Sequence, residues 1–167
     1  MASLQSGESV EAETAPAPPP PALPLPWPPL LAPECGVGLR PWGAAGGDAR
    51  SLAAAWADPE VARWNRVPAD HGEAAAAAWI AGEAERRDRG LAVDLVVTEP
   101  GQPDGVLGEV GFAMVDQERR WGEVGYWITA PARGRGMASG ALTMFSHWVL
   151  GDLPVARLIA RTSQANP

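Results

Sequence analysis

The stretch "EVGYWITAPARGRGMASGALTMFSHWVL", Glu123 to Leu150, decides how the rest of the chain is read. It begins as an apolar strand, meets Pro131, passes through small and basic residues, and runs straight into an amphipathic helix. Ala138, Ala141, Leu142, Phe145, Trp148 and Val149 form one stripe of a helix predicted from Gly136 to Leu150, with Gly151 and Pro154 to stop it. The first turn of such a helix has N–H donors without intrahelical acceptors and a partial positive charge. Small residues at Gly134, Gly136 and Ala138 would let an anion reach those donors, and Arg133 and Arg135 would add charged ones. A glycine turn with solvated arginines is the competing reading. The spacing G-x-G-x-x-x-G from Gly134 to Gly140 misses the dinucleotide fingerprint. That motif also opens a parallel βαβ unit, and the strand here ends an antiparallel meander instead.

Upstream, "LAVDLVVTE", "GVLGEVGFAMV" and "WGEVGYWIT" read as three strands, the last two joined too closely for a crossover and therefore antiparallel. Before them, "VGLRPW" reads as a first strand. Asp48 is suited to cap a helix with Leu52, Ala55 and Trp56 on one face; Asp58 and Pro59 start another. Asp70 and Glu73 resemble a capping box ahead of a helix with Ala77, Ile80, Ala81 and Ala84 at i, i+3, i+4, i+7 spacing, which Gly90 would end. Downstream, "VARLIARTS" is a final strand. The order predicts an α+β fold, a mostly antiparallel sheet flanked by helices with one crossover.

At 167 residues the chain has room for one domain, taken as 36–167 behind a Pro/Ala-rich arm, 1–35, expected to be disordered. A net charge of −7 argues against a sequence-independent grip on nucleic acid. The apolar run "PALPLPWPPLLAP" is too rich in proline to form a membrane helix, and no secretory signal is visible, so a cytoplasmic location is expected. All thirteen basic residues are arginine, which removes P-loop and Schiff-base chemistry. The single cysteine, Cys35, cannot form an intramolecular disulfide.

Arg133, Gly136 and Ala138 fit the signature of the GNAT acetyltransferases: Arg or Gln, two residues, Gly, one residue, then Gly or Ala. "ADPEVARW", "EVGYWITAPARGRGMA" and "RLIARTSQANP", in that order, resemble the branch of ribosomal-protein-alanine N-acetyltransferases and small-amine acetyltransferases. The resemblance implies acetyl-CoA as co-substrate, no metal, and a primary amine as acceptor, a protein N-terminus or a small molecule, with a homodimer as one possible assembly. It assigns the coenzyme A pyrophosphate to Arg133, Gly134, Arg135, Gly136, Met137 and Ala138. The strand residues Trp127, Ile128 and Thr129 fall to the pantetheine arm and the thioester. Glu123 is the resemblance's choice of general base; Glu109, in the near repeat "GEVGF", is its rival, and loop length cannot fix the register that separates them. His147 is expected to be a surface or partly packed residue. The family has Glu in many members where Gly140 stands, and continues beyond the equivalent of Pro167 with a helix and further strands. Their absence here would leave Leu158 partly wet and an open edge on the last strand. The alternative to an enzyme is an acyl-CoA-binding module without turnover.

Overall fold

The computed structural model describes residues 19–165. Six strands form one sheet in sequence order: β1 (Leu30–Ala32), β2 (Val37–Pro41), β3 (Ala92–Thr98), β4 (Gly108–Asp116), β5 (Trp121–Ile128) and β6 (Arg157–Ala160). Neighbours are antiparallel except β5 and β6, which are parallel because the helix α5 (Met137–Asp152) carries the chain back between them. Four helices separate β2 from β3: α1 (Asp48–Trp56), α2 (Pro59–Trp64), α3 (Glu73–Ala81) and α4 (Glu83–Asp88).

Strand alternation divides the core in two. On β3, Val93, Leu95 and Val97 point to one face, where Phe112, Val124 and Ile128 meet Ala141, Phe145, Trp148 and Val149 of α5. Val96 points to the other, where Trp42 and Trp127 meet Leu52, Ala55, Trp56 and Val61 of α1 and α2. The α+β architecture of a mostly antiparallel sheet covered by helices is therefore the one the sequence predicts.

Several local expectations change. Residues 1–18 of the expected disordered arm lie outside the described residues, but residues 19–35 pack on the domain. Leu23 is buried and its N–H bonds to the Arg87 carbonyl at 2.9 Å, while Leu30–Ala32 pairs with β2. Proline-rich composition hid a short strand. Asp48 is the first helical residue rather than a cap. Its carboxylate accepts from Arg40 at 2.7 and 2.8 Å and from the Gly43 N–H at 2.8 Å. Burial pulls this carboxyl up, but Arg40 and the N–H donors outweigh it and hold it below the ordinary range. Asp58 does cap α2, accepting from Glu60 N–H at 2.9 Å. Ahead of α3, Asp70 accepts from Gly72 N–H at 3.2 Å, so its side chain closes the turn before the helix. The predicted helix divides at Gly82 into α3 and α4, and the buried side holds Ala76 and Glu83, with Trp79 and Ile80 packed beside them; Ala77 and Ala81 are exposed. A nearly all-alanine helix offers no contrast from which to read its face. Helix α5 runs two residues beyond Leu150, to Asp152. Leu158 is half-buried against the α5-side core. The outer edge of β6 has no partner strand among the described residues.

Candidate active site and anion loop

Two features of β5 set the site. Its pairing with β6 covers only Trp121 to Val124. From Gly125 to Ile128 it continues beside β4 alone, because β6 ends at Ala160, and its other backbone edge has no partner strand among the described residues. At the end of that edge the chain turns through Ala130–Ala132 into the glycine loop and α5. Gly134 and Gly136 have φ of +74° and +78°, the left-handed region that glycine enters without strain. A methyl group at either would meet no heavy atom within 4 Å, so open space lies over both backbones. Gly136 is the N-cap of α5. By helix geometry the N–H groups of Met137, Ala138 and Ser139 have no intrahelical acceptor, and the ladder starts with Gly140 N–H to Gly136 O at 3.1 Å. This cradle suits a phosphate group.

The arginines are engaged elsewhere. Arg133 donates through Nε to the Ile128 carbonyl at 2.9 Å and through its guanidinium to Asp58 at 2.6 Å. Arg135 pairs with Glu99. Arg133 thus ties the anion loop to the cap of α2, while Met137 buries its side chain in the α5-side core. Thr129 gives both its N–H (2.8 Å) and its hydroxyl (3.1 Å) to the Leu107 carbonyl, so neither donor is free.

The two candidate carboxylates separate sharply. Glu109 pairs in register with Trp127, and Glu123 with Ala113, so both project from the same sheet face. Glu123 is four residues along β5 from Trp127, about 13 Å at strand rise. It pairs with exposed Arg161 at 3.4 Å. Glu109 lies under the helices. Trp42 Nε1–H donates to its Oε2 at 2.8 Å and Trp127 Nε1–H to its Oε1 at 3.1 Å. Burial pushes its pKa up to about 7, against the pull of those two indole donors. Asp94 is raised too, by burial first and then by Glu109 and Glu83. Gly111 makes this neighbourhood possible, because a methyl group there would lie 1.9 Å from Asp94 Oδ1. Arg86 is the compensating cation, bonded to Glu83 and to the Trp79 carbonyl.

Glu109 also lines a cavity of about 170 Å³ with Trp56, Trp79, Trp127, Val67 and Arg66 among its walls. The tryptophans brace one another: Trp42 to Trp79 at 6.3 Å, Trp42 to Trp127 at 6.4 Å and Trp56 to Trp79 at 6.2 Å between ring centroids. The sequence reading missed this cage. Eight tryptophans in 167 residues were the available signal, but four of the rings meet only through tertiary packing. Tyr126 is exposed on the open part of β5, and His147 is exposed on α5. Among the described residues no group of His, Cys, Asp and Glu could hold a metal ion, and no helix is long and apolar enough to cross a membrane.

Comparison with known proteins speaks to the fold and the family. N-acetyltransferase p20 of Bacillus licheniformis is 27% identical over 121 residues, which cover 71% of this chain and 66% of that protein. The chain thus spans just under two thirds of that relative's length. RimJ of Mycobacterium smegmatis, solved with CoA-disulfide, superposes with a TM-score of 0.67 at 20% identity, covering 83% of this chain and 68% of the other. Ribosomal-protein-S5-alanine acetyltransferase of Vibrio fischeri superposes with a TM-score of 0.63 at 18% identity, covering 75% of this chain and 69% of the other. At these identities the two structures speak for the fold alone. The family profile described as the acetyltransferase (GNAT) domain matches residues 37–167, which shows that the chain belongs to the GNAT acetyltransferase family.

Proposed function

We propose that the protein transfers the acetyl group of acetyl-CoA directly to a primary amine. The observation that carries this reading is the position of Glu109, register-paired with Trp127 one strand in from the open edge of β5. The backbone cradle of Gly134, Gly136, Met137 and Ala138 suits the coenzyme pyrophosphate, and the open edge at Ile128 suits a pantetheine amide, while Trp127, paired with Glu109, turns its own N–H and C=O to β4. Thr129 drops out, because its donors are spent on Leu107. Arg133 and Arg135 act by anchoring the loop through Asp58 and Glu99, and add charge beside the pyrophosphate.

A strand spacing of about 4.8 Å separates β4 from the open edge, within reach of Glu109 through one water. The amine nitrogen attacks the thioester carbonyl carbon and the C–N bond forms. The ammonium proton passes to the Glu109 carboxylate, the C–S bond breaks, and coenzyme A leaves as the thiolate, whose uptake of a proton balances the reaction. A carboxyl with a pKa near 7 is suited to this work, being ionised in part at neutral pH and a stronger base than an ordinary glutamate. Glu123 is not the base in this reading. The similar fold of a ribosomal-protein-S5-alanine acetyltransferase makes a protein amine one acceptor to try.

Calorimetric titration with acetyl-CoA, followed by thiol release on adding amines, tests the proposal. Binding and amine-dependent thiol release are expected, with release lost in Glu109→Gln. Binding without amine-dependent release would identify an acyl-CoA-binding module and overturn the proposal.

A further inference from the structure

We infer that the acceptor is a primary amine carrying a compact apolar or aromatic group about one ring in size, and no second positive charge. This rests on the acetyl-transfer reading and names the substrate class of the same site. Size is the first ground. The cavity beside Glu109 measures about 170 Å³. An apolar cavity of about 150 Å³ accepts benzene. One ring or a branched aliphatic group therefore fits.

Lining is the second ground. Trp56, Trp79, Trp127, Val61, Val67 and Pro68 supply the apolar wall. The bracing by Trp42 fixes the rings, so a flat group meets a preformed slot and little side-chain ordering is needed. Indole faces also attract an arriving ammonium. Glu109 is the carboxylate in this lining, so the nitrogen is drawn to the base while the apolar group lies against the tryptophans.

Charge is the third ground. Arg66 lines the same cavity and is exposed. Among the described residues it forms no ion pair, unlike Arg63 three positions earlier, which pairs with Glu60. A guanidinium there repels a second ammonium and favours a carboxylate or phosphate on the acceptor. Polyamines and multiply cationic antibiotics are thus disfavoured by charge.

The test compares 2-phenylethylamine, phenylalanine and spermidine as acceptors, by kcat/KM, in the wild type, Val67→Trp and Arg66→Ala. Both aromatic amines should exceed spermidine by about tenfold or more, the scale on which a filled apolar pocket discriminates. Val67→Trp, which fills the cavity, should raise KM for 2-phenylethylamine about tenfold while the acetyl-CoA Kd holds. Arg66→Ala should erase any advantage of phenylalanine over 2-phenylethylamine. Tryptophan fluorescence titration with 2-phenylethylamine reads the pocket without turnover and should weaken in Val67→Trp. A preference for spermidine, or saturation that Val67→Trp does not shift, would overturn the inference while leaving acetyl transfer standing. Failure of every amine to release thiol, with fluorescence binding intact, would overturn the acetyl-transfer reading and keep the pocket.

Discussion

Glu109 and Glu123 occupy near-identical stretches, "GEVGF" and "GEVGY", on neighbouring strands, and point from the same face of one sheet. They live in different media. Around Glu109, Trp56 of α1 and Trp79 of α3 join Trp42 and Trp127 in a tryptophan cage, and burial there lifts its pKa to about 7. Glu123 pairs with exposed Arg161, between the exposed Ala113 of β4 and Ile159 of β6. The same five-residue pattern therefore yields a buried carboxyl of raised pKa in one place and an exposed ion pair in the other. What covers a carboxylate sets its chemistry, and the local motif does not.

The largest effect expected is on turnover. Glu109→Gln should lower kcat by roughly 10²–10⁴-fold, the reach of general base catalysis. Glu123→Gln should change it by no more than about twofold, as exposed substitutions usually do. Steady-state thiol release measures both, and the reverse order would exchange their roles.

A second comparison, on the same sheet face, sets Glu109 against Asp48. Asp48 is buried but paired with Arg40 at 2.7 Å, and its carboxyl is held low. Breaking a buried pair leaves an uncompensated charge, so Asp48→Ala should cost about 3–5 kcal/mol in denaturant unfolding. A loss below about 1 kcal/mol would show that water replaces the carboxylate there.

The glycine loop comes next. At φ of +78°, Gly136→Ala has no neighbour to strike, so about 1–2 kcal/mol of backbone strain is its whole stability cost. Its methyl group would occupy the cradle, so acetyl-CoA affinity should fall further than stability does. Unchanged affinity by calorimetry would remove the anion from this loop.

Stability should also follow pH through the Glu109 neighbourhood. Its carboxyl goes from an ordinary 4.5 to about 7 on folding, so the folded state binds the proton more tightly. The contribution is fully present below about pH 4.5 and is lost as pH rises through about 7. Asp94, also raised, acts in the same sense. Melting temperatures across this range should fall with pH, and less steeply in Glu109→Gln. The smallest effect belongs to Asp58→Asn, which keeps the α2 cap but releases Arg133. Stability should change by no more than about 1 kcal/mol, the usual limit for an exposed pair, as thermal unfolding would show.

Local signals carried much of the fold. The β3–β4–β5 meander follows from alternating runs between turn residues, and Asp58 with Pro59 announced α2. The glycine cradle was legible for the same reason, because left-handed backbone and a helix start are local properties. The base was not. Choosing between Glu109 and Glu123 needed the β4–β5 register and the cage around Glu109, which joins Trp42, Trp56, Trp79 and Trp127 from four separate stretches of sequence. Pairing of Arg133 with Asp58, 75 residues away, was equally out of reach of spacing.

The most direct test of the central claim is the ratio of kcat/KM between the wild type and Glu109→Gln from pH 5.5 to 8, in which the titration of the amine cancels. The ratio should climb with a midpoint near 7 as the Glu109 carboxyl ionises, while the ratio between the wild type and Glu123→Gln stays flat. A ratio for Glu109→Gln that does not vary with pH, or a climb that appears with Glu123→Gln instead, would contradict the assignment of Glu109 as the base.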